Sequence, residues 1–210
     1  MDKKEKAIIE LEKYYFKVKI EPRIAAPDMA DMIGVLIGLK PAMMGDFVEK
    51  EYEKLKISDF DRLLRNLGLK AVYFRHSFNY GDEMVSYEYF CISKKRRLAK
   101  RTKKAFEKLW SLLDENGETS YRKKWMKITK KIGKLLGYPK TAVLDFVRDT
   151  DVENEERRAR MERNRYYAHS AEHEEEEFKA YDLVLNKAIS LYAPKTAEVL
   201  TKNPKKRWLD

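Results

Sequence analysis

Residues 70–93, KAVYFRHSFNYGDEMVSYEYFCIS, decide the class of fold. The two flanks, 70–78 and 85–93, are rich in Val, Tyr, Phe and Ile, which favour extended backbone. Between them lies Asn79-Tyr80-Gly81-Asp82, a group of residue types that favours a turn. The segment therefore predicts a β-hairpin, the one β-hairpin that we expect in the chain.

Upstream of the hairpin, apolar residues recur at the three- and four-residue spacing of amphipathic helices. Ile8, Leu11 and Tyr15 follow this spacing in the first helix, and Pro27 suits the first turn of a buried helix that ends near Gly38. The predicted helices occupy residues 3–15, 27–38, 46–55 and 58–66, and a short extended segment covers 16–20.

Downstream of the hairpin the same spacing predicts helices only. They cover residues 95–113, 119–136, 139–147, 152–168 and 171–192. The chain contains neither an internal repeat nor a low-complexity linker, so one domain is the simplest organisation. We therefore predict a mainly helical α+β domain over residues 1–193, with about eight helices, followed by a basic and loosely held tail over 194–210.

The composition bounds the class of protein. The chain has 210 residues and 43% apolar residues, enough for a packed interior. No apolar run approaches the roughly 18 to 20 residues of a membrane span, and no signal-peptide core follows the charged N-terminus. We expect a cytoplasmic protein without a membrane partner, in which the single cysteine, Cys91, is a small buried hydrophobe.

Charged residues make up 38% of the chain, and glutamine is absent. Many side chains able to form ion pairs and few thermolabile amides are typical of proteins from hyperthermophiles. We therefore expect a thermophilic source, archaeal or bacterial.

The positive charge is concentrated in one segment. The net charge is +10, and residues 94–136 alone hold 16 basic and 4 acidic side chains. This segment covers two predicted amphipathic helices, whose apolar stripes must face the core and whose cations must cover the remaining surface. A polyanion would bind such a surface by counterion release, without contacts to bases.

We therefore predict a non-enzymatic protein that binds DNA or RNA, or a complex containing them, through the nucleic-acid backbone. The predicted contact residues are Lys94, Lys95, Arg96, Arg97, Lys100, Arg101, Lys103, Lys104, Arg122, Lys123, Lys124, Lys127, Lys130, Lys131 and Lys134. The alternative is a solvated, heat-adapted surface that the acidic residues of segment 151–177 partly neutralise. The sequence does not decide whether that segment covers the basic helices.

Enzymatic patterns are missing from the sequence. It contains no phosphate-binding loop, dinucleotide fingerprint or nucleophile elbow. Carboxylates are abundant, but no pair stands in an apolar setting that would shift its pKa. The sequence therefore favours a protein without catalytic residues.

A metal-dependent enzyme is a further alternative, because the sequence contains His169-Ser-Ala-Glu-His173. On a helix these two histidines lie one turn apart on the same face, which suits two imidazole ligands of one divalent transition metal ion. Glu172, Glu176 or Glu177 could add a carboxylate. A metalloprotease is not indicated, because no glutamate directly follows the first histidine. Apart from such a metal ion, we expect no cofactor.

A third hypothesis concerns a protein partner. Ile8-x-x-Leu11-x-x-Tyr14-Tyr15 has the spacing of the motif by which proteins dock on the replication sliding clamp, with Ile8 in place of the usual glutamine. The same residues also fit the apolar stripe of a core helix. Buried in the domain, they would be unable to dock.

Residues 136–147 read LGYPKTAVLDFV. This segment resembles an uncharacterised archaeal family, a domain of unknown function with a Gly-Tyr-Pro-x-Cys-Cys-Val-x-x-Phe motif. Matching residues are Gly137, Tyr138, Pro139, Val143 and Phe146, whereas Thr141 and Ala142 stand in place of the paired cysteines. The resemblance implies no activity. Any redox or metal chemistry of the cysteines is lost here, which favours a structural or binding role.

Overall fold

Helices surround a small antiparallel sheet. The computed structural model describes residues 2–80, 83–114, 119–148 and 173–202. In chain order the elements are α1 (Lys3–Val18), α2 (Pro22–Ile37), β1 (Met43–Val48), α3 (Glu49–Tyr52), α4 (Ile57–Asn66), β2 (Lys70–Tyr80), β3 (Glu83–Ser93), α5 (Arg96–Asp114), α6 (Thr119–Leu136), α7 (Lys140–Arg148), α8 (Glu174–Glu177), a π-helical turn (Phe178–Asp182), α9 (Leu183–Tyr192) and α10 (Pro194–Lys202). The predicted α+β, mainly helical class is confirmed.

The predicted hairpin forms the larger part of the sheet. Strands β2 and β3 pair antiparallel from Lys70 opposite Ser93 to Tyr80 opposite Glu83. Strand β1 adds to the other edge of β3, from Met43 opposite Ile92 to Val48 opposite Tyr87. The strand order is therefore β1-β3-β2, with β3 in the centre.

Both faces of the sheet contribute side chains to a core, since alternate side chains of each strand point to opposite faces. On one face Phe90 and Ile92 join Tyr15, Phe47 and Phe60 in a core with α1, α2 and α4. The opposite face belongs to a second core, which contains Phe74, Tyr89, Cys91, Phe106 and Trp110. Helices therefore cover the sheet on both sides.

Cys91 is fully buried in the second core, as the sequence predicted. Burial raises the pKa of its thiol to about 12, so the group stays protonated at neutral pH. A buried, protonated thiol is a poor nucleophile.

Two local predictions upstream of the hairpin are wrong. Residues 16–18 are not extended but continue α1, because Phe16 and Val18 are buried on its apolar side. The helix predicted over 46–55 is strand β1 as far as Val48 and then the single turn α3. Alternating burial along β1 and pairing with β3 outweigh the local helix pattern.

Helix α2 also begins earlier than predicted. It starts at Pro22, so that Pro27 lies inside the helix, and Gly38 ends it with a left-handed φ of 88°. The predicted helix over 152–168 lies outside the described residues. None of the helices within the described ranges is long and apolar enough to cross a membrane.

The predicted loose tail is wrong as far as Lys202. Helix α10 begins at Pro194 and packs against α2. Its Thr196 is buried and donates from both its backbone N–H and its hydroxyl to Glu12 of α1, each at 2.7 Å. The domain therefore extends beyond residue 193. The hydrogen bonds to Thr196 offset the cost of burying the Glu12 carboxylate in the core.

Gly137 lies at the junction between α6 and α7. Its φ is 80°, and an added Cβ would lie 2.5 Å from Cδ of Pro41. Gly68 has a similar φ of 72°, but a Cβ there would meet nothing within 4 Å. The two glycines therefore share a backbone requirement and differ only in the space around them.

We expect Gly137→Ala to lower the free energy of unfolding by about 2–4 kcal/mol, combining left-handed strain with overpacking against Pro41. Gly68→Ala should cost only the strain, about 1–2 kcal/mol. Urea unfolding of both variants measures the difference. Equal losses would show that the contact with Pro41 contributes nothing.

Candidate nucleic-acid interface

A buried serine at the end of β3, Ser93, leads into helix α5. The Ser93 hydroxyl donates to the carbonyl of Pro41 at 2.7 Å and accepts from the backbone N–H of Lys95 at 3.2 Å. From there α5 crosses the sheet, with Ala99, Phe106 and Trp110 in the second core. These contacts fix which side of α5 faces the sheet.

The opposite side of α5 is exposed and basic. Because residues three and four apart share one side of a helix, its cations form one stripe. Its exposed members, with the two lysines before the helix, are Lys94, Lys95, Arg96, Arg97, Lys100, Arg101, Lys104 and Lys108. Lys108 was missed by the sequence-based prediction, although it continues the same spacing from Arg101 and Lys104.

Helix α6 adds a second basic stripe. It packs against α5 and α7, with Ile132 and Leu135 buried in the second core. Its exposed cations are Lys123, Lys124, Lys127, Lys130, Lys131 and Lys134. The side chain of the remaining predicted residue, Arg122, lies outside the described part of the chain.

The two stripes border one shallow groove of about 340 Å³. Its polar lining consists of Lys104, Glu107, Lys108 and Ser111 of α5 and Lys124 of α6, and its apolar lining of Leu112 and Ile128. Cations from both helices therefore face the same depression. We call the exposed cations of the two stripes, fourteen in all and beginning at Lys94, the basic surface.

The cations of the basic surface are not neutralised by the described residues. None of them lies within 4.0 Å of a carboxylate in the described part of the chain. Lys103 is the exception among the predicted residues. It is half-buried, lies 3.6 Å from Glu107 and sits over the ring of Phe74, so it belongs to the packing of α5 on β2.

The acidic segment predicted to compensate this charge is described only from residue 173. There Glu175 pairs with Lys179 at 2.6 Å, and Glu177 accepts a hydrogen bond from the hydroxyl of Thr141 in α7. These two carboxylates therefore do not neutralise the basic surface. Residues 151–172 lie outside the described ranges.

The start of α5 places cations where the helix disfavours them. A helix N-terminus carries a partial positive charge, and acidic side chains stabilise it. The first turn of α5 contains no acidic residue, and Arg96 and Arg97 occupy it instead. Lys94 and Lys95 directly precede them. The cations at this end of the basic surface are therefore repelled by the partial positive charge of the helix N-terminus.

The motif predicted to dock on the sliding clamp is part of the first core. Ile8, Leu11 and Tyr15 are 0%, 1% and 0% exposed. The Tyr14 hydroxyl accepts from the backbone N–H of Lys56 at 2.9 Å, which ties it to the start of α4. A partner could not contact these apolar side chains without unfolding α1, so the accessibility that docking requires is absent.

The predicted histidine pair is described only in part. His169 lies outside the described residues, and His173 is exposed, with Nδ1 3.9 Å from Glu176. Among the side chains that the structure describes, no group of three His, Cys, Asp or Glu is arranged to hold a metal ion.

Residues 136–147 form the junction between α6 and α7. Tyr138 lies under Nζ of the buried Lys40, 5.3 Å from the ring centroid, and Lys40 pairs with Asp31 at 2.6 Å. Ala142 is buried, and Val143 packs on Gly133 of α6. These contacts give the Gly-Tyr-Pro segment a structural role in the fold.

A half-buried carboxylate was also missed by the sequence-based prediction. Asp28 of α2 accepts a 2.5 Å hydrogen bond from the Tyr15 hydroxyl, and Nζ of Lys19 lies 3.9 Å away. Lys19 also pairs with the buried Glu51 at 3.1 Å. Burial raises the pKa of Asp28 to about 7, against the lowering effect of Lys19. The sequence singled out no pair of carboxylates in an apolar setting, and the tertiary structure creates such a setting for one carboxylate, Asp28.

No protein-family model, no curated protein and no solved structure matches the chain. The resemblance carried by residues 136–147 therefore stays a prediction.

The raised pKa of Asp28 predicts a pH dependence of stability. Between about pH 4 and 7 the folded protein keeps a proton that the unfolded chain has lost, so the contribution of Asp28 to stability falls as pH rises and levels off above 7. We expect the stability of wild type relative to Asp28→Asn to fall by about 3 kcal/mol between pH 4.5 and 8. Urea unfolding at both pH values measures this. Parallel profiles of the two proteins would contradict the raised pKa of Asp28.

The cations at the start of α5 predict a stabilising substitution. Arg96→Glu with Arg97→Glu should raise the free energy of unfolding by about 0.5–2 kcal/mol at low salt, because acidic residues suit the first helical turn. Lys100→Glu with Arg101→Glu is the matched control, with the same charge change one turn further along. Thermal unfolding compares the two variants. Equal gains would attribute the effect to general repulsion among the cations and not to the helix terminus.

Proposed function

We propose that the protein binds nucleic acid through the basic surface, on the phosphate backbone and without sequence preference, and that this role requires no catalysis. The observation that supports the proposal most strongly is the meeting of the two stripes at one groove, where Lys104, Lys108 and Lys124 face the same depression. A polyanion lying there contacts both helices at once.

The energetic argument rests on counterion release. Each phosphate that a cation neutralises frees condensed counterions, so affinity rises with the number of contacts and falls with salt. The cations of the basic surface lack carboxylate partners within the described residues. Nucleic-acid binding at this surface therefore displaces no ion pair that the structure describes.

The start of α5 supports the same proposal. Four consecutive cations, Lys94 to Arg97, remain exposed where acidic residues would stabilise the helix. A local arrangement that lowers stability without improving packing is typical of a functional site. Phosphate oxygens placed there would contact the cations and also the helix N-terminus.

A sliding clamp is not part of the proposal, because the side chains of its motif are inside the first core. The metal-dependent reaction stays a prediction, because His169 lies outside the described residues.

The test measures the affinity for a fluorescent 20-base-pair DNA duplex between ~50 and ~200 mM salt. Contact with six to ten phosphates should reduce affinity by about 10³- to 10⁵-fold over this range. Arg96→Glu with Arg97→Glu should weaken binding at low salt by at least tenfold and reduce the salt slope by about two, since each lost phosphate contact removes about one.

Lys3→Glu with Lys4→Glu is the matched control. These exposed lysines open α1, so the variant makes the same charge change at another helix N-terminus. It should bind nearly as wild type. Undetectable binding at ~50 mM salt, or equal loss in both variants, would overturn the proposal.

A further inference from the structure

A ligand of the basic surface must match the length of its two stripes of cations and the distance between them. Arg97 to Lys108 on α5 and Lys123 to Lys134 on α6 each span eleven residues, or about 16 Å at 1.5 Å per residue. Packed helices lie about 8–10 Å apart. The surface thus consists of two rows of cations, each about 16 Å long and separated by about the distance between two helix axes.

The rows run side by side in opposite chain directions. Only four residues connect α5 with α6, and the groove joins Lys104 and Lys108, in the second half of α5, to Lys124, in the first half of α6. Helices joined so closely pack antiparallel. The rows therefore run side by side where the two helices pack together.

A surface for single strands would combine cations with exposed aromatic rings, because stacking of bases on aromatic side chains contributes much of that affinity. The described aromatic side chains of α5 and α6 do not provide this. Phe106 and Trp110 are 8% and 7% exposed, and Trp110 packs against the rings of Phe74, His76 and Tyr89. Trp125 is half-buried.

We infer that the ligand of the basic surface is double-stranded nucleic acid, with one row of cations on the phosphates of each strand. This inference rests on the proposed function. A length of 16 Å corresponds to about five base pairs at 3.4 Å each, and the grooves between the two backbones are about 6 and 12 Å wide. A single strand has only one line of phosphates and can occupy one row at a time.

The experiment compares a 20-base-pair DNA duplex, an RNA duplex of equal length and a 20-nucleotide single strand by fluorescence anisotropy at ~50 mM salt. A duplex should bind at least tenfold more tightly than the single strand, since its charge density is twice as high and both rows contact it. The DNA and RNA arms identify which helix form fits the spacing of the rows.

Substitutions in single rows test the mechanism. Arg97→Glu with Lys104→Glu alters the α5 row, and Lys127→Glu with Lys134→Glu alters the α6 row. Each should weaken duplex binding by tenfold or more but single-strand binding only about twofold, because the other row remains. Lys3→Glu with Lys4→Glu again controls for the change in net charge, and circular dichroism confirms that each variant is folded.

Tighter binding of the single strand, or equal losses for duplex and single strand in both row variants, overturns this inference and leaves the proposed function standing. Failure of all three ligands to bind at ~50 mM salt overturns both.

Discussion

The burial of both faces of strand β3 is the constraint on which the rest of the structure depends. Phe90 and Ile92 point into one core, and Tyr89 and Cys91 point into the other. A three-stranded sheet whose two faces are apolar must be covered by helices on both sides. Helices α1, α2 and α4 cover the first face, so α5 must cover the second, with α6 packed beside it.

The position of the basic surface follows from that constraint. Because the apolar stripes of α5 and α6 are used against the sheet and against each other, their cations point away from it. The crowding of like charges and the arginines in the first turn of α5 both oppose folding. The two cores supply the stability that offsets these costs, chiefly through large aromatic side chains such as Phe90 and Trp110.

Local sequence patterns predicted the secondary structure correctly where the local preference of a segment agrees with its tertiary contacts. The hairpin, the helices α5 and α6, and the stop of α6 at Gly137 were predicted because β-branched runs, helical periodicity and a glycine C-cap act within a few residues. Strand β1 was missed, since its pairing with β3 joins residues about forty to fifty positions apart. Helix α10 was missed for the same reason, because its anchor, Glu12, lies at the opposite end of the chain.

Some features of the candidate site follow from the sequence alone, and others follow only from the tertiary structure. By itself, the sequence determined that sixteen cations occupy residues 94–136 and that amphipathic helices would expose them, because charge and helical period are local properties. Only the tertiary structure decided that the two stripes meet at one groove, that Lys103 packs on Phe74, and that Asp28 lies half-buried beside Tyr15 and Lys19. It likewise placed Ile8, Leu11 and Tyr15 in the core. Accessibility depends on which distant elements pack over a residue, and that information is not contained in the spacing of its neighbours.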